Sequence, residues 1–310
     1  MDRLDAMSIL LAVAEEGSLS AGARRLNAPL TTVSRKIADL EAYLKVKLLT
    51  RSSRRLTLTD AGKSYVAACR RILEEVVEAE RAATGEYLAP KGELHVTAPI
   101  VLGRLHLVPV LAEFLQAYPD IHVRLTLNDR LVDLVDEEVH AALRLGDLPD
   151  SDLIATRVGT SHRVFAASPQ YLKLRGVPQA PADLVGHDCV GVQGFTDPSF
   201  WSVAGYTEAP VRYRMTVNST DAACDAAKAG VGIVSVFSHH VTSSFREGSL
   251  APVLADFERR TLPLSLVRTS GGNMPLKLRA FLDFATPRLK ARLSVARDEF
   301  LAAAGQTDQL

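Results

Sequence analysis

Apolar residues at Leu4, Met7, Leu11 and Ala14 recur at steps of three and four, which predicts one amphipathic helix, with Gly17 ending it. Ser18 or Ser20 then caps a second short helix through Leu26. Asn27-Ala28-Pro29 makes a turn, with Pro29 suited to the first position of a third helix, where no amide donor is needed. In that helix Leu30, Val33, Ile37, Leu40 and Leu44 form a buried stripe, which turns Thr31, Thr32 and Arg35 to the opposite face with Ser34 and Lys36 on its flanks. Alternation on either side of Ser52-Ser53 predicts a small hairpin tipped by Arg51, Arg54 and Arg55. From about Asp60 to Leu88, Tyr65, Cys69, Ile72, Val76, Ala79 and Ala83 step 4, 3, 4, 3, 4. Such a seam fits either a dimerising helix or one packed on its own domain.

Beyond Ala89-Pro90-Lys91-Gly92 the pattern alternates: strand 93–97, helix 102–117, strand 121–127, helix 131–138 and strand 140–145. It is interrupted near 164–168 and resumes with strands at 189–192 and 211–217, a helix over 220–229, strands at 232–236 and 264–267, and a closing helix over 275–292, with the tail after Arg297 expected to fray. Short apolar strands between helices imply a mainly parallel, covered sheet. Two α/β lobes crossed by the chain near 164–168 and 264–268 make a clamshell, whose cleft suits a small ligand.

Charge sharpens this division. The 36 basic and 36 acidic residues sum to zero. Between Arg24 and Arg55, however, nine basic residues face only Asp39 and Glu41, a local charge of +7 that leaves −7 for the rest. A basic module on an acidic body is the footprint of a nucleic-acid binder, the alternative being a merely solvated face.

At 310 residues and 47% hydrophobic, the chain has ample length for two or more cores and is neither disordered nor collagen-like. No run approaches the length of a bilayer span, and the charged start Met1-Asp2-Arg3-Leu4-Asp5 does not read as an export signal, so a cytoplasmic protein without a membrane role is expected. Cys69, Cys189 and Cys224 give no disulfide framework, and the last two read as buried small hydrophobes rather than a redox switch. Gly230-Val231-Gly232 follows a helix and enters a strand, the wrong order for a dinucleotide turn, and His239-His240 alone is not metal spacing. No cofactor, metal or catalytic set is expected, and the chain does not read as an enzyme.

The stretch AVAEEGSLSAGARRLNAPLTTVSRKIADLEAYLKVKLLTRSSRRLTLTDAG, Ala12 to Gly62, resembles the winged helix-turn-helix of LysR-type transcriptional regulators. TAPIVLGRLHLVPVLAEFLQAYPDI, from Thr97 to Ile121, resembles the opening of their effector domain. VDLVDEEVHAALRLGDLPDSDLIATRVG, GVGIVSVF and LKLRAFLDF continue the likeness in family order. The resemblance implies an α/β protein with an N-terminal all-α winged helix-turn-helix over 1–59, a long linker and dimerisation helix over 60–89, and a two-lobed periplasmic-binding-protein-like effector domain over 90–300. The first lobe is placed at about 90–163 and 268–300, the second at about 164–267.

On that resemblance Thr31, Thr32, Ser34 and Arg35 face the major groove, although Thr31 and Thr32 also suit simple helix capping. Ser20, Lys36, Arg51, Arg54 and Arg55 match backbone or minor-groove contacts; arginine can take guanine bidentately. The effector pocket is placed at Thr97, Pro99, Ile100, Val101, Asn128, Arg144, Gly146, Phe195, Asn218, Ser219 and Thr220, with Phe200 and Trp201 as further walls or core residues. Two helix N-termini on one gap favour an anion. Val101 departs from a hydroxyl residue in relatives, leaving a more apolar effector open. The expected partners are double-stranded promoter DNA, a small-molecule effector (an organic acid or an aromatic), a second or further copies of the chain as dimer or tetramer, and RNA polymerase. The competing classes are a solute-binding clamshell without a DNA role and, with no residues to support it, an enzyme using the cleft.

Overall fold

Asp2 starts the first helix by accepting the Leu4 amide at 3.0 Å. The computed structural model describes residues 2–51, 56–83, 89–130, 133–135, 137–148, 153–193, 211–257, 261–270 and 274–306. α1 (Arg3–Glu16), α2 (Leu19–Arg25) and α3 (Leu30–Leu44) close around Leu10, Val13, Ala23, Val33, Ile37 and Leu40. α1 packs against α2, α3 and the later α4, so its buried set is Ala6, Met7, Ile9, Leu10, Ala12 and Val13, while Leu4 is exposed. The single stripe expected for α1 is thus corrected: a helix enclosed on several sides buries more than one face. Gly22 lets α2 approach α1, because a Cβ there would meet the Val13 Cα at 2.9 Å.

Pro29 is the N-cap of α3, with ψ at 137°, rather than its first helical residue, and Leu30 lies exposed beyond the edge of the stripe. β1 (Leu49–Arg51) and β2 (Leu56–Leu58) pair antiparallel, Leu49 opposite Leu58, and form the base of the wing. α4 (Asp60–Ala83) follows. Its Val66 and Cys69 enter the core of α1–α3, with Tyr65 and Leu73 packed beside them. The seam expected to face another helix is therefore absorbed at Tyr65 and Cys69 by its own domain, whereas Ile72 and Val77 remain exposed.

The body is one continuous set of strands in the order β4-β3-β5-β11-β6-β9-β7-β8. β3 (Gly92–Ala98) runs parallel to β4 (Ile121–Leu127) and β5 (Ala141–Leu145), and β7 (Asp188–Val192) parallel to β8 (Arg212–Val217) and β9 (Ile233–Phe237). Two long antiparallel strands join these trios: β6 (Leu153–Ala167) and β11 (Thr261–Thr269). β6 pairs with β11 through His162, then with β9 from Arg163 and with β10 (Ala251–Val253). Leu264–Val267 of β11 pair with β5 in the first lobe, so the boundary drawn at 267 is corrected toward the start of that strand.

α5 (Ile100–Leu102), a π-helical turn (Gly103–Leu107) and α6 (Val108–Ala117) form one run. It is long and apolar enough to cross a membrane by composition, but Leu102, Leu107, Val110, Leu111 and Phe114 are buried on the first sheet. Of the helix expected over 131–138, the described residues 134–135 and 137–138 are turns; the Asp133 carboxylate accepts the Val135 amide and Glu138 has φ of 53°. α7 (Pro169–Arg175) and a 3₁₀ turn (Pro181–Gly186) precede β7, α8 (Thr220–Lys228) precedes β9, and α9 (Ser238–Arg246) follows it; α7 and α9 were not foreseen. α10 runs from Leu276 to Gln306. Phe281, Ala285, Leu289 and Leu293 sit in the first core, Phe300 and Ala303 in the second. The expected fraying after Arg297 is corrected: those last turns clasp the second lobe.

Candidate functional site

The outward face of α3 carries Thr31 and Arg35, both exposed, with Thr32, Ser34 and Lys36 half-buried beside them. Val33, Ile37 and Leu40 anchor the opposite face, so the outward residues hold their places without being part of the packing. Lys36 forms an ion pair with Asp5 of α1, which ties α3 to the first helix. Ser18 caps α2, its hydroxyl accepting the Ala21 amide at 3.5 Å; Ser20 lies exposed in the first turn, 2.9 Å from the Ser18 hydroxyl.

Glu41 sets the angle between α3 and the wing. Its buried carboxylate accepts the Leu48 and Leu49 amides at 2.9 and 3.1 Å and the Lys47 ammonium at 2.7 Å. Burial pushes this carboxyl's pKa upward, but the bonds from Lys47 and the two amides outweigh it and hold the group below its ordinary value. Gly62 completes the joint, since a Cβ there would fall 2.0 Å from the Leu48 carbonyl oxygen.

Between the lobes lies a cavity of about 360 Å³, within the range of small-molecule sites. Its first-lobe wall is mostly apolar near α5, with Pro99, Val101, Leu143 and Leu145; Asn128, Asp129, Arg130 and Asp147 stand at its rim. The second-lobe wall carries Arg163, Ser235, Phe237, His239, His240 and Thr220. Burial drives the His239 pKa well below its ordinary value, with His240 and His106 adding repulsion, so the imidazole is neutral at pH 7. His240 is lowered by burial too, partly opposed by its Nδ1–H donating to the Phe237 carbonyl at 3.3 Å. Burial also lowers the pKa of Arg144. Among the described residues no group of three or more His, Cys, Asp and Glu side chains is placed to hold a metal. The three cysteines are buried and unbridged, and burial pushes the Cys189 and Cys224 thiols up to about 12.

A basic helix face on a small winged head, joined by a long helix to a two-lobed body with a central cavity, is matched along the whole chain by known proteins. The family model described as bacterial regulatory helix-turn-helix protein, lysR family, matches residues 4–63, and the LysR substrate binding domain model matches residues 89–290. The chain belongs to the LysR family of transcriptional regulators. An HTH-type transcriptional regulator of Xanthomonas campestris is 35% identical over 91% of the chain and 84% of its own length. CrgA of Neisseria meningitidis is 34% identical over 91% of the chain and 96% of its own length. The solved CrgA structure superposes with a TM-score of 0.58 at 33% identity, covering 92% of this chain and 98% of that one. Full-length AphB, the Vibrio cholerae virulence activator, gives 0.56 at 28% identity, covering 91% and 98%.

In this LysR-type regulator the cavity gathers Thr97, Pro99, Val101, Asn128, Arg144 and Thr220 of the residues proposed from sequence. Ile100, Gly146, Asn218 and Ser219 do not line it. The Ile100 amide instead donates to the Asp129 carboxylate at 3.0 Å, and Ser219 caps α8 by accepting the Ala222 amide at 3.5 Å. The first of those bonds corrects the anion site expected at the helix start in the first lobe, because a carboxylate of the protein already sits there. Phe195, Phe200 and Trp201 lie outside the described residues, as do Arg54 and Arg55; Arg51 ends β1. Sequence reasoning missed Arg163, Ser235, Phe237, His239, His240 and Leu262, which enter the cavity only because β6, β9 and β11 cross between the lobes. Glu41 was counted among charges and not seen as the wing's anchor.

Proposed function

We propose that this LysR-type regulator reads promoter DNA with the outward face of α3, with Thr31, Thr32, Ser34 and Arg35 in the major groove. Ser20 and Lys36 act at the backbone, and Arg51, Arg54 and Arg55 act from the wing at phosphates or in the minor groove. A small organic or aromatic acid occupies the inter-lobe cavity and biases the placement of paired heads by binding one arrangement better than another. Pairing runs through α4, where Ile72 and Val77 are apolar and exposed, in a dimer or tetramer that acts with RNA polymerase in the cytoplasm.

The observation that carries this reading is the exposed Thr31–Arg35 face, held rigid from below by Val33, Ile37 and Leu40 and flanked by the wing base. Its test is Arg35→Ala, expected to cost roughly 1–3 kcal/mol on the cognate duplex and to relax base preference at one position. Equal loss on cognate and random duplex would make Arg35 a phosphate contact and remove it from the reading surface.

A further inference from the structure

Glu138 is held in a conformation that few side chains choose. Its φ is 53°, in the left-handed region that disfavours any residue but glycine. Strain of this kind persists only where neighbours impose it. The neighbour here is His95 of β3, which is buried. Its Nδ1–H donates to the Glu138 carbonyl at 3.2 Å. Its backbone also grips His140: the His95 amide donates to the His140 Nδ1 at 3.0 Å, and the His140 amide donates to the His95 carbonyl at 2.9 Å. The turn before β5 is thereby lashed to β3, and the Glu138 carboxylate reaches α4, where it pairs with Arg70.

Arg70 has a second partner. Its other terminal nitrogen donates to Glu15 of α1 at 3.0 Å, and Glu15 also pairs with Arg25 of α2 at 2.5 Å. One guanidinium thus joins the body to the helices against which α3 packs. Ion pairs as exposed as these contribute little stability. What a planar guanidinium held by two carboxylates supplies is direction.

The same bonds run back to the inter-lobe cavity. Burial, with Arg124 and His140 adding repulsion against a weaker pull from Glu93 and Glu137, lowers the His95 pKa, so the ring is neutral at pH 7. With Nδ1 donating, its Nε2 accepts the Thr126 hydroxyl of β4 at 3.0 Å. Thr97, buried in the cavity wall, donates its own hydroxyl to the Thr126 carbonyl at 2.8 Å.

Resting on the reading of α3 as the DNA-reading helix of a paired regulator, we propose that Arg70 and Glu138 are positioning residues that set where the head sits on the body. His95 and Thr126 tie this latch to Thr97. The two heads of a pair then meet two half-sites at a spacing that the latch defines, and a shift of the cavity wall alters it.

The test is fluorescence anisotropy of the full-length protein on two duplexes: its upstream duplex, with two half-sites located by footprinting, and the same duplex with one half-site scrambled. Heads held in place make the second contact intramolecular, so a loosened head loses affinity on the paired sites alone. Arg70→Met and Glu138→Gln should each weaken the two-site duplex about tenfold and change the one-site duplex by less than about twofold. The double variant should lose no more than Arg70→Met alone, because both changes remove one bond. Thr126→Val should move the ratio of the two affinities in the same direction, by about threefold. Melting followed by circular dichroism checks that each variant folds. Equal losses on both duplexes, an unchanged ratio, or losses that add in the double variant overturn the latch. A ratio untouched by Thr126→Val overturns its tie to the cavity wall. A wild-type protein that prefers neither duplex to a fully scrambled one removes the reading of α3 itself, a separate failure.

Discussion

The head and the body of this regulator gather their working residues in opposite ways. In the head the residues proposed to read bases lie on the outward face of α3, Thr31 and Arg35 exposed and Thr32 and Ser34 half-buried, with the core on the other side of the same helix. In the body, among the described residues, eight separate stretches of chain supply the cavity wall, and several of its polar groups are buried. The contrast teaches that recognition and stability are separable in the head and entangled in the body. Replacing Arg35 touches no packing, whereas the groups around the cavity also hold the lobes together.

The clearest way to break this contrast is at the end of α10. Phe300 is buried in the second core, 5.5 Å from and nearly parallel to the His162 ring and 6.1 Å from Phe245. Phe300→Ala should cost roughly 3–5 kcal/mol in urea unfolding of the body, while the helical signal of the head persists. A cost under about 1 kcal/mol would mean that the last turns of α10 do not clasp the second lobe.

Acid offers the next largest effect. His106 is 8% exposed, its Nδ1 has no partner among the described residues, and burial, with Arg292 adding repulsion, lowers its pKa to about 4. The unfolded chain takes up a proton below about pH 6.5, whereas the folded chain resists until about pH 4. Stability from this group is therefore complete above pH 6.5 and falls as the pH drops toward 4, by about 2 kcal/mol at pH 5. His106→Gln should flatten the loss between pH 6.5 and 4.5; an unchanged slope would assign acid lability to other groups.

The wing comes third. Replacing Arg54 and Arg55 by alanine should reduce the salt dependence of DNA binding by about 0.9 for each phosphate those side chains neutralise, without unfolding the head. An unaltered slope would take the wing tip off the DNA.

The smallest effect is expected where head and body meet. Arg70 of α4 pairs with Glu15 of α1 at 3.0 Å and with Glu138 in the turn before β5. These groups are partly exposed, so Arg70→Ala should change stability by less than about 1 kcal/mol. A loss above about 2 kcal/mol would show that the two parts melt as one unit.

The same contrast explains which features could be read from residue order. The stripe Val33, Ile37, Leu40 identifies the outward face of α3 because a helix converts spacing directly into direction. The cavity depends on strand order, and spacing carries no record of β6 passing from β11 to β9 at Arg163. Pro99, Val101 and Asn128 were within reach through the family resemblance, which places the pocket at the segments that follow β3 and β4. Ser235 and His239 lie within or just after a strand that reads as plain core, Ile233–Phe237. Leu4 and Leu30 were misplaced because helix ends lie beyond their neighbours' reach. Residues 131–138 have helical spacing, but among the described ones Asp133 accepts the Val135 amide, and 134–135 form a turn instead.

The central claim is that α3 reads a particular duplex. Fluorescence anisotropy with the full-length protein, its own upstream duplex and a scrambled duplex of equal length at about 150 mM salt tests it directly. The upstream duplex should bind roughly a thousandfold or more tightly, and Arg35→Ala should narrow that ratio. Equal affinity for the two duplexes, unchanged by Arg35→Ala, would contradict the account.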